Sequence, residues 1–155
     1  MSAFARVAAL ASAVVLLAAV PRPDFSSFLF YTGTWVCSPN PSGRPISHTA
    51  VTTIGFDGMW MIERDAPPGI RYLTYDTSIE RWVEVGVSGR GGYWTASSPG
   101  WHGNTILFTT KWLDGSWQVD AITKDTNMRR HDNYRGVDAR GRAYSGASYC
   151  VKTKA

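Results

Sequence analysis

The chain has 155 residues, a net charge of +4 at neutral pH, 44% hydrophobic and 13% aromatic residues, and seven Trp. That length allows one domain and excludes a second full core, and the apolar content excludes an intrinsically disordered chain. The two Cys exclude a disulfide-rich miniprotein and a four-Cys zinc site.

Arg6 is the only charge before Arg22, and Val7 to Val20 is entirely Ala, Val, Leu and Ser. A basic start and a short apolar run predict a secretory signal peptide over residues 1–20. A membrane span would need about 20 apolar residues. The protein is therefore expected to be exported, to a periplasm or to the extracellular medium. Residues 21–28 then form a leader, 29–152 the folded domain and 153–155 a tail.

Beyond residue 21 no helical period persists for more than two turns. Short β-branched and aromatic runs alternate with Gly, Pro, Asp and Asn. Ten strands are predicted: Leu29–Cys37, Ile46–Phe56, Met59–Ala66, Arg71–Tyr75, Arg81–Val87, Tyr93–Ala96, Thr105–Trp112, Trp117–Lys124, Met128–Val137 and Arg142–Lys152. Asp57-Gly58, Asp114-Gly115 and Asp138 to Gly141 read as tight turns. Ser98 to Asn104 reads as a loop carrying Trp101 and His102.

Connections this short force antiparallel neighbours, since parallel pairs need crossovers of about a dozen residues. A meander hides its two edges by closing, so the fold expected is all-β, a single antiparallel up-and-down barrel of about ten strands. Cys37 and Cys150 then sit on the first and last strands, which closure makes neighbours. An oxidising compartment allows them to bond. The loop would enclose about 113 residues, for which the chain-entropy model gives about 4 to 5 kcal/mol.

Strand parity gives candidate lining residues. Trp35 shares a face with Tyr31 and Gly33. In Met59–Ala66 either Trp60, Ile62 and Arg64 face inward or Met59, Met61 and Glu63 do. In Arg81–Val87 the choice lies between Trp82, Glu84 and Gly86 and the three valines. In Trp117–Lys124 the apolar set Trp117, Val119, Ala121 and Thr123 reads as buried. In Thr105–Trp112 Ile106, Phe108, Thr110 and Trp112 share a face. The candidate ligand-contacting set is Trp60, Arg64, Tyr72, Trp82, Glu84, Trp101, His102, Phe108 and Trp117. Arg64 and Glu84, if interior, would pair or orient a ligand's polar end. Against this stands a barrel whose Trp residues simply fill a closed core.

Catalytic and metal chemistry is not indicated. His48, His102 and His131 have no metal-ligand partners at close spacing, and there is no Gly-x-Ser-x-Gly elbow, phosphate loop or Gly-x-Gly-x-x-Gly. Arg129, Arg130, Arg135, Arg140 and Arg142 form a basic stretch diluted by Asp132 and Asp138. With export, nucleic acid is not expected as a partner, whereas weak contact with anionic envelope polymers is. A monomer is expected.

Gly33-Thr34-Trp35-Val36-Cys37 resembles the Gly-x-Trp opening of lipocalins and calycins. Asp57-Gly58 before Trp60, Tyr75-Asp76 between Tyr72 and Trp82, Ser98 to Trp101 before Thr105 to Phe108, and Cys150 extend the likeness to exported bacterial lipocalin-like barrels over roughly 29–152. The resemblance implies a ten-strand calycin-type barrel in which Trp35 plugs the closed end and Gly33 gives room for close approach. It leaves the function open. The expectation is a barrel that binds a small apolar or amphipathic ligand without catalysis. Nitrobindin-like barrels are more distant relatives in pattern. They imply haem held by a late His with redox or isomerase chemistry, but no His follows His131 here.

Overall fold

The computed structural model describes residues 22–66 and 69–153; the expected signal segment 1–20 and the last two residues of the tail lie outside them. The domain is all-β. Its strands are β1 (Gly33–Ser38), β2 (His48–Gly55), β3 (Trp60–Ala66), β4 (Gly69–Asp76), β5 (Arg81–Ser88), β6 (Tyr93–Ser98), β7 (Trp101–His102), β8 (Thr105–Trp112), β9 (Trp117–Thr126), β10 (Arg129–Val137) and β11 (Ala143–Lys152). All pairings are antiparallel between neighbours in the meander, β1 meets β11, and β6 meets β8, which closes a ten-strand barrel. The extra strand β7 falls in the stretch read as a loop. It continues past Pro99-Gly100, where Gly100 has φ 120°, and pairs with the start of β8.

The turns follow from their side chains. Asp76, Asp114 and Asp138 each accept the backbone N–H two residues on, at 2.9 Å. This Asx geometry lets the chain reverse without leaving those amides unpaired.

The first strand starts at Gly33 rather than Leu29. Ser26–Tyr31 instead form a 3-10 helix. A strand would send alternate residues of this apolar run to solvent. The helix buries Phe28, Phe30 and Tyr31 together and leaves Leu29 outside. Phe25 and Phe28, placed by sequence in a leader, belong to the core. Gly33 links helix to strand at φ 109°. A Cβ there would meet Lys152 only at ordinary contact distance, 3.7 Å, so backbone conformation requires this Gly and close approach does not.

Trp35 is fully buried and donates its indole N–H to the Tyr31 carbonyl at 2.6 Å. It joins a closed-end cluster in which Phe25, Phe28, Trp82 and Trp101 pack with ring centroids 4.6–5.4 Å apart across their closest pairs. β1 pairs only with the last residues of β11, which sets Cys37 directly opposite Cys150. A disulfide joins the two and ties the first strand to the last.

Candidate functional site

The pleat sends alternate residues into the lumen, and the faces sort into three layers from the closed end to the open one. The floor is apolar: Met61, Leu73, Ile106, Phe108 and Ile122 meet the helix plug and leave a cavity of about 30 Å³. That is room for about one water. Above it the lumen opens into a cup of about 460 Å³, walled by Trp94, Phe108, Trp112, Glu84, Asp120 and Asp132 among others. A further lobe of about 470 Å³ shares Arg71, Trp94, Gln118, Asp120 and Asp132 with it and reaches Asp65 and His48.

The middle layer is a belt of charge. Glu63 is 5% exposed and accepts the Thr52 hydroxyl at 2.9 Å. It also pairs with Arg71 and, at 3.4 Å, with Arg130. Arg71 reaches Asp65 at 3.7 Å. The Arg130 guanidinium lies over the Tyr31 ring, 3.9 Å from its centroid, and donates to the Tyr31 hydroxyl. Both guanidiniums are thus held by Glu63, which anchors the belt to the plug. Glu84 accepts the Trp94 indole N–H at 3.0 Å, and Asp120 accepts the Gln118 amide and the Thr110 hydroxyl. Among the described residues Glu84, Asp120 and Asp132 enter no salt bridge. Asp132 Oδ1, Asp65 Oδ1, Arg71 Nε and Arg130 Nε are buried without a hydrogen-bond partner.

Burial disfavours charge here. It pushes the carboxyls of Glu84 and Asp132 up, and with the nearby Asp132 charge it lifts Asp120 to about 6. Burial lowers Arg130 to about 10, against the pull of Asp132. For Arg71 burial acts downward too, but Glu63, Glu84, Asp65 and Asp132 together outweigh it and hold the guanidinium charged.

The open layer is aromatic and depends on three lumen-facing glycines. Trp94 lies across Gly86, Tyr134 across Gly146 and Tyr144 across Gly136, each ring directly opposite its glycine in the register. A Cβ at any of the three would overlap the ring. The rings therefore lie flat on the wall and leave the centre of the cup open. The Tyr144 hydroxyl donates to Gln118 Oε1 at 2.9 Å.

The structure brings only some of the sequence candidates together. Glu84 and Phe108 line the cup. Trp82 faces inward but is buried in the floor cluster, below the cup. Trp60 and Tyr72 are on the outer face, packed edge to face at 6.4 Å between centroids. Arg64 is exposed there too. β3 therefore turns its Met61 and Glu63 face inward; the expected Arg64–Glu84 pair does not form, and the guanidinium inside is Arg71 on the neighbouring strand, paired with Glu63. Trp101 packs on Phe28 and Phe30 at the closed end, with His102 exposed beside it, so neither is at the mouth.

The largest correction falls on β9. Trp117 is 40% exposed, and Gln118, Asp120, Ile122 and Lys124 occupy the inner face. Phe108 lies opposite Asp120 and Thr110 opposite Gln118 across the β8–β9 hairpin. Residues directly opposite share a side of the sheet, so the inward Phe108 and Thr110 carry the polar set of β9 into the lumen. That register was the signal to follow; amphipathic alternation alone pointed the wrong way because this lumen is polar. Asp65, Arg71, Trp94, Asp120, Arg130 and Asp132 are the lining residues that alternation did not single out, whereas Glu63 and Trp112 stood on faces it had offered.

The ten-strand closed meander is consistent with the calycin, lipocalin-like class of barrel. Compared with known families and characterised proteins, the chain matches no family model and no curated sequence.

Proposed function

We propose that the protein is a non-catalytic binding barrel that holds one small amphipathic ligand in the cup above its plug. One observation carries this reading: the floor is packed while the upper lumen stays open, with the Trp94 and Tyr134 rings laid across Gly86 and Gly146. A barrel built only for stability would fill that space, because close packing is worth more than a void. The cup lies within the usual ~300–1,000 Å³ range of ligand sites. Its charged belt argues for an amphipathic guest over a purely apolar one, since an apolar guest would desolvate several carboxyls without pairing them. A haem guest finds little support. His131 faces outward onto Asp125 and Tyr149, His102 is exposed at the closed end, and His48 lies at the rim.

The disulfide and the apolar N-terminal run together support export to an oxidising compartment, with the barrel acting as a monomer. Outside the lumen, exposed Arg129, Arg135, Arg140 and Arg142 fit weak, salt-sensitive contact with anionic envelope polymers. Intrinsic Trp fluorescence tests the binding reading, because Trp94 and Trp112 line the cup. Titration with amphipathic aromatic ligands should give a saturable change that Trp94→Ala reduces. No saturable response from cationic, neutral or anionic members of such a set overturns it.

A further inference from the structure

We infer that the cup selects organic cations: a protonated amine seated among Glu84, Asp120 and Asp132, with an attached apolar or aromatic body lying along Trp94, Trp112 and Phe108. This rests on the binding reading above and specifies its ligand class.

Three independent features of the lumen point the same way. The first is charge. Five carboxyls, those of Glu63, Asp65, Glu84, Asp120 and Asp132, line the cavities against the two guanidiniums of Arg71 and Arg130, while Lys124 lies at the plug over Phe30. The chain as a whole is positive, +4, so the negative excess is confined to the inside. Second, the pairing inside is lopsided. Glu63 and Asp65 meet the charge of both guanidiniums. Glu84, Asp120 and Asp132 are left facing the cup with only neutral donors or none, and Asp132 Oδ1 is buried without any partner. A buried acceptor with no donor is costly, and an ammonium brings three donors to such a place. Third, the surrounding rings present π-faces to whatever sits beside those carboxyls. Such faces attract cations and repel anions.

The alternative guest, a carboxylate or phosphate amphiphile, would have to approach the unpaired carboxyls. It would find both guanidiniums paired with Glu63, with only Arg71 Nε and Arg130 Nε left to donate.

The same geometry makes binding sensitive to pH. Around Asp120 stand Gln118 on its own strand, Tyr134, Asp132 and Arg130 on β10, Thr110 on β8, Asp65 on β3, Arg71 on β4, Glu84 on β5, Trp94 on β6 and Tyr144 on β11. The raised carboxyls hold protons in mildly acid solution, and a protonated carboxyl no longer attracts the amine. Affinity for a cation therefore falls as the pH drops through about 6.

The test uses three matched probes with the full mature chain: phenylbutylamine, phenylbutanol and phenylbutyrate, titrated by calorimetry at neutral pH. The amine should bind about tenfold or more tightly than the other two, and that preference should shrink at pH about 5. Asp120→Asn and Asp132→Asn should each erode the preference about tenfold, with far-ultraviolet circular dichroism confirming the fold. Asp125→Asn, outside the barrel, should leave it unchanged and so exclude a net-charge effect. Equal or reversed affinities among the three probes overturn the cation assignment and leave a binding cup standing. Failure of all three to bind overturns the binding reading itself.

Discussion

Trp94 and Glu84 face each other across the β5–β6 pair: the indole N–H donates to Glu84 Oε1 at 3.0 Å while the ring lies flat over Gly86. This arrangement positions an acid and an aromatic face together at the side of an open cup. Gly86→Ala should displace the ring, lengthen that hydrogen bond and cost about 1–3 kcal/mol as overpacking. Urea unfolding and the Trp emission spectrum measure both. An unchanged spectrum with unchanged stability would mean that the ring does not depend on the glycine.

Arg71 holds the belt together through Glu63 and Asp65. Arg71→Leu leaves Glu63 with Arg130 alone and Glu84 and Asp132 nearer to uncompensated charge. Removing one partner of a buried pair typically costs about 3–5 kcal/mol. Chemical denaturation at neutral pH should show a loss of that size, and a smaller loss at acid pH, where carboxyls take up protons.

The Cys37–Cys150 bridge closes a loop spanning 113 residues of sequence separation. The paired change Cys37→Ser with Cys150→Ser should destabilise by about 4 to 5 kcal/mol at most by the chain-entropy estimate. The intact protein should show no free thiol by alkylation and mass measurement. Two alkylated thiols in unreduced protein would contradict the bond.

The Asp120 carboxyl titrates near 6 in the folded chain against an ordinary value of 3.8. The folded state therefore holds this proton more tightly than the unfolded state. Its contribution to stability is fullest below about pH 4 and is lost as the pH rises through about 6. Asp120→Asn removes that loss. The variant should match the parent near pH 4 and exceed it by about 3 kcal/mol at neutral pH, read by thermal unfolding across that range. Equal stability of the two proteins at neutral pH would mean that Asp120 is not buried as charge.

Much of the fold was legible because turns and alternation are local. Asp114, Asp138 and the Asp57-Gly58 pair marked reversals, and closure followed from short connections. The pairing of Cys37 with Cys150 followed from closure. The site was harder to read. Phe108 was found because it shares a face with Ile106, while Glu84 stood on one of two faces of its strand that alternation left open. Asp120 and Arg71 were missed because a hydrophobic-inside rule assigns such residues to solvent, and this lumen inverts the rule above its floor. Trp60 and Tyr72 show the converse, since they pack on each other outside the barrel. The plug was missed for a different reason: Phe25 to Tyr31 carries aromatics at positions 25, 28, 30 and 31, and a 3-10 helix buries more of them than a strand can.

The most direct measurement is the titration of the Asp120 side-chain carboxyl by carbon-13 NMR, with and without saturating phenylbutylamine. The free barrel should titrate near 6, and the loaded one about one unit or more lower, because a bound ammonium favours the ionised carboxyl. A value near 4 in the free protein, or a midpoint that the amine does not move, would contradict a charged ligand cup in this lumen.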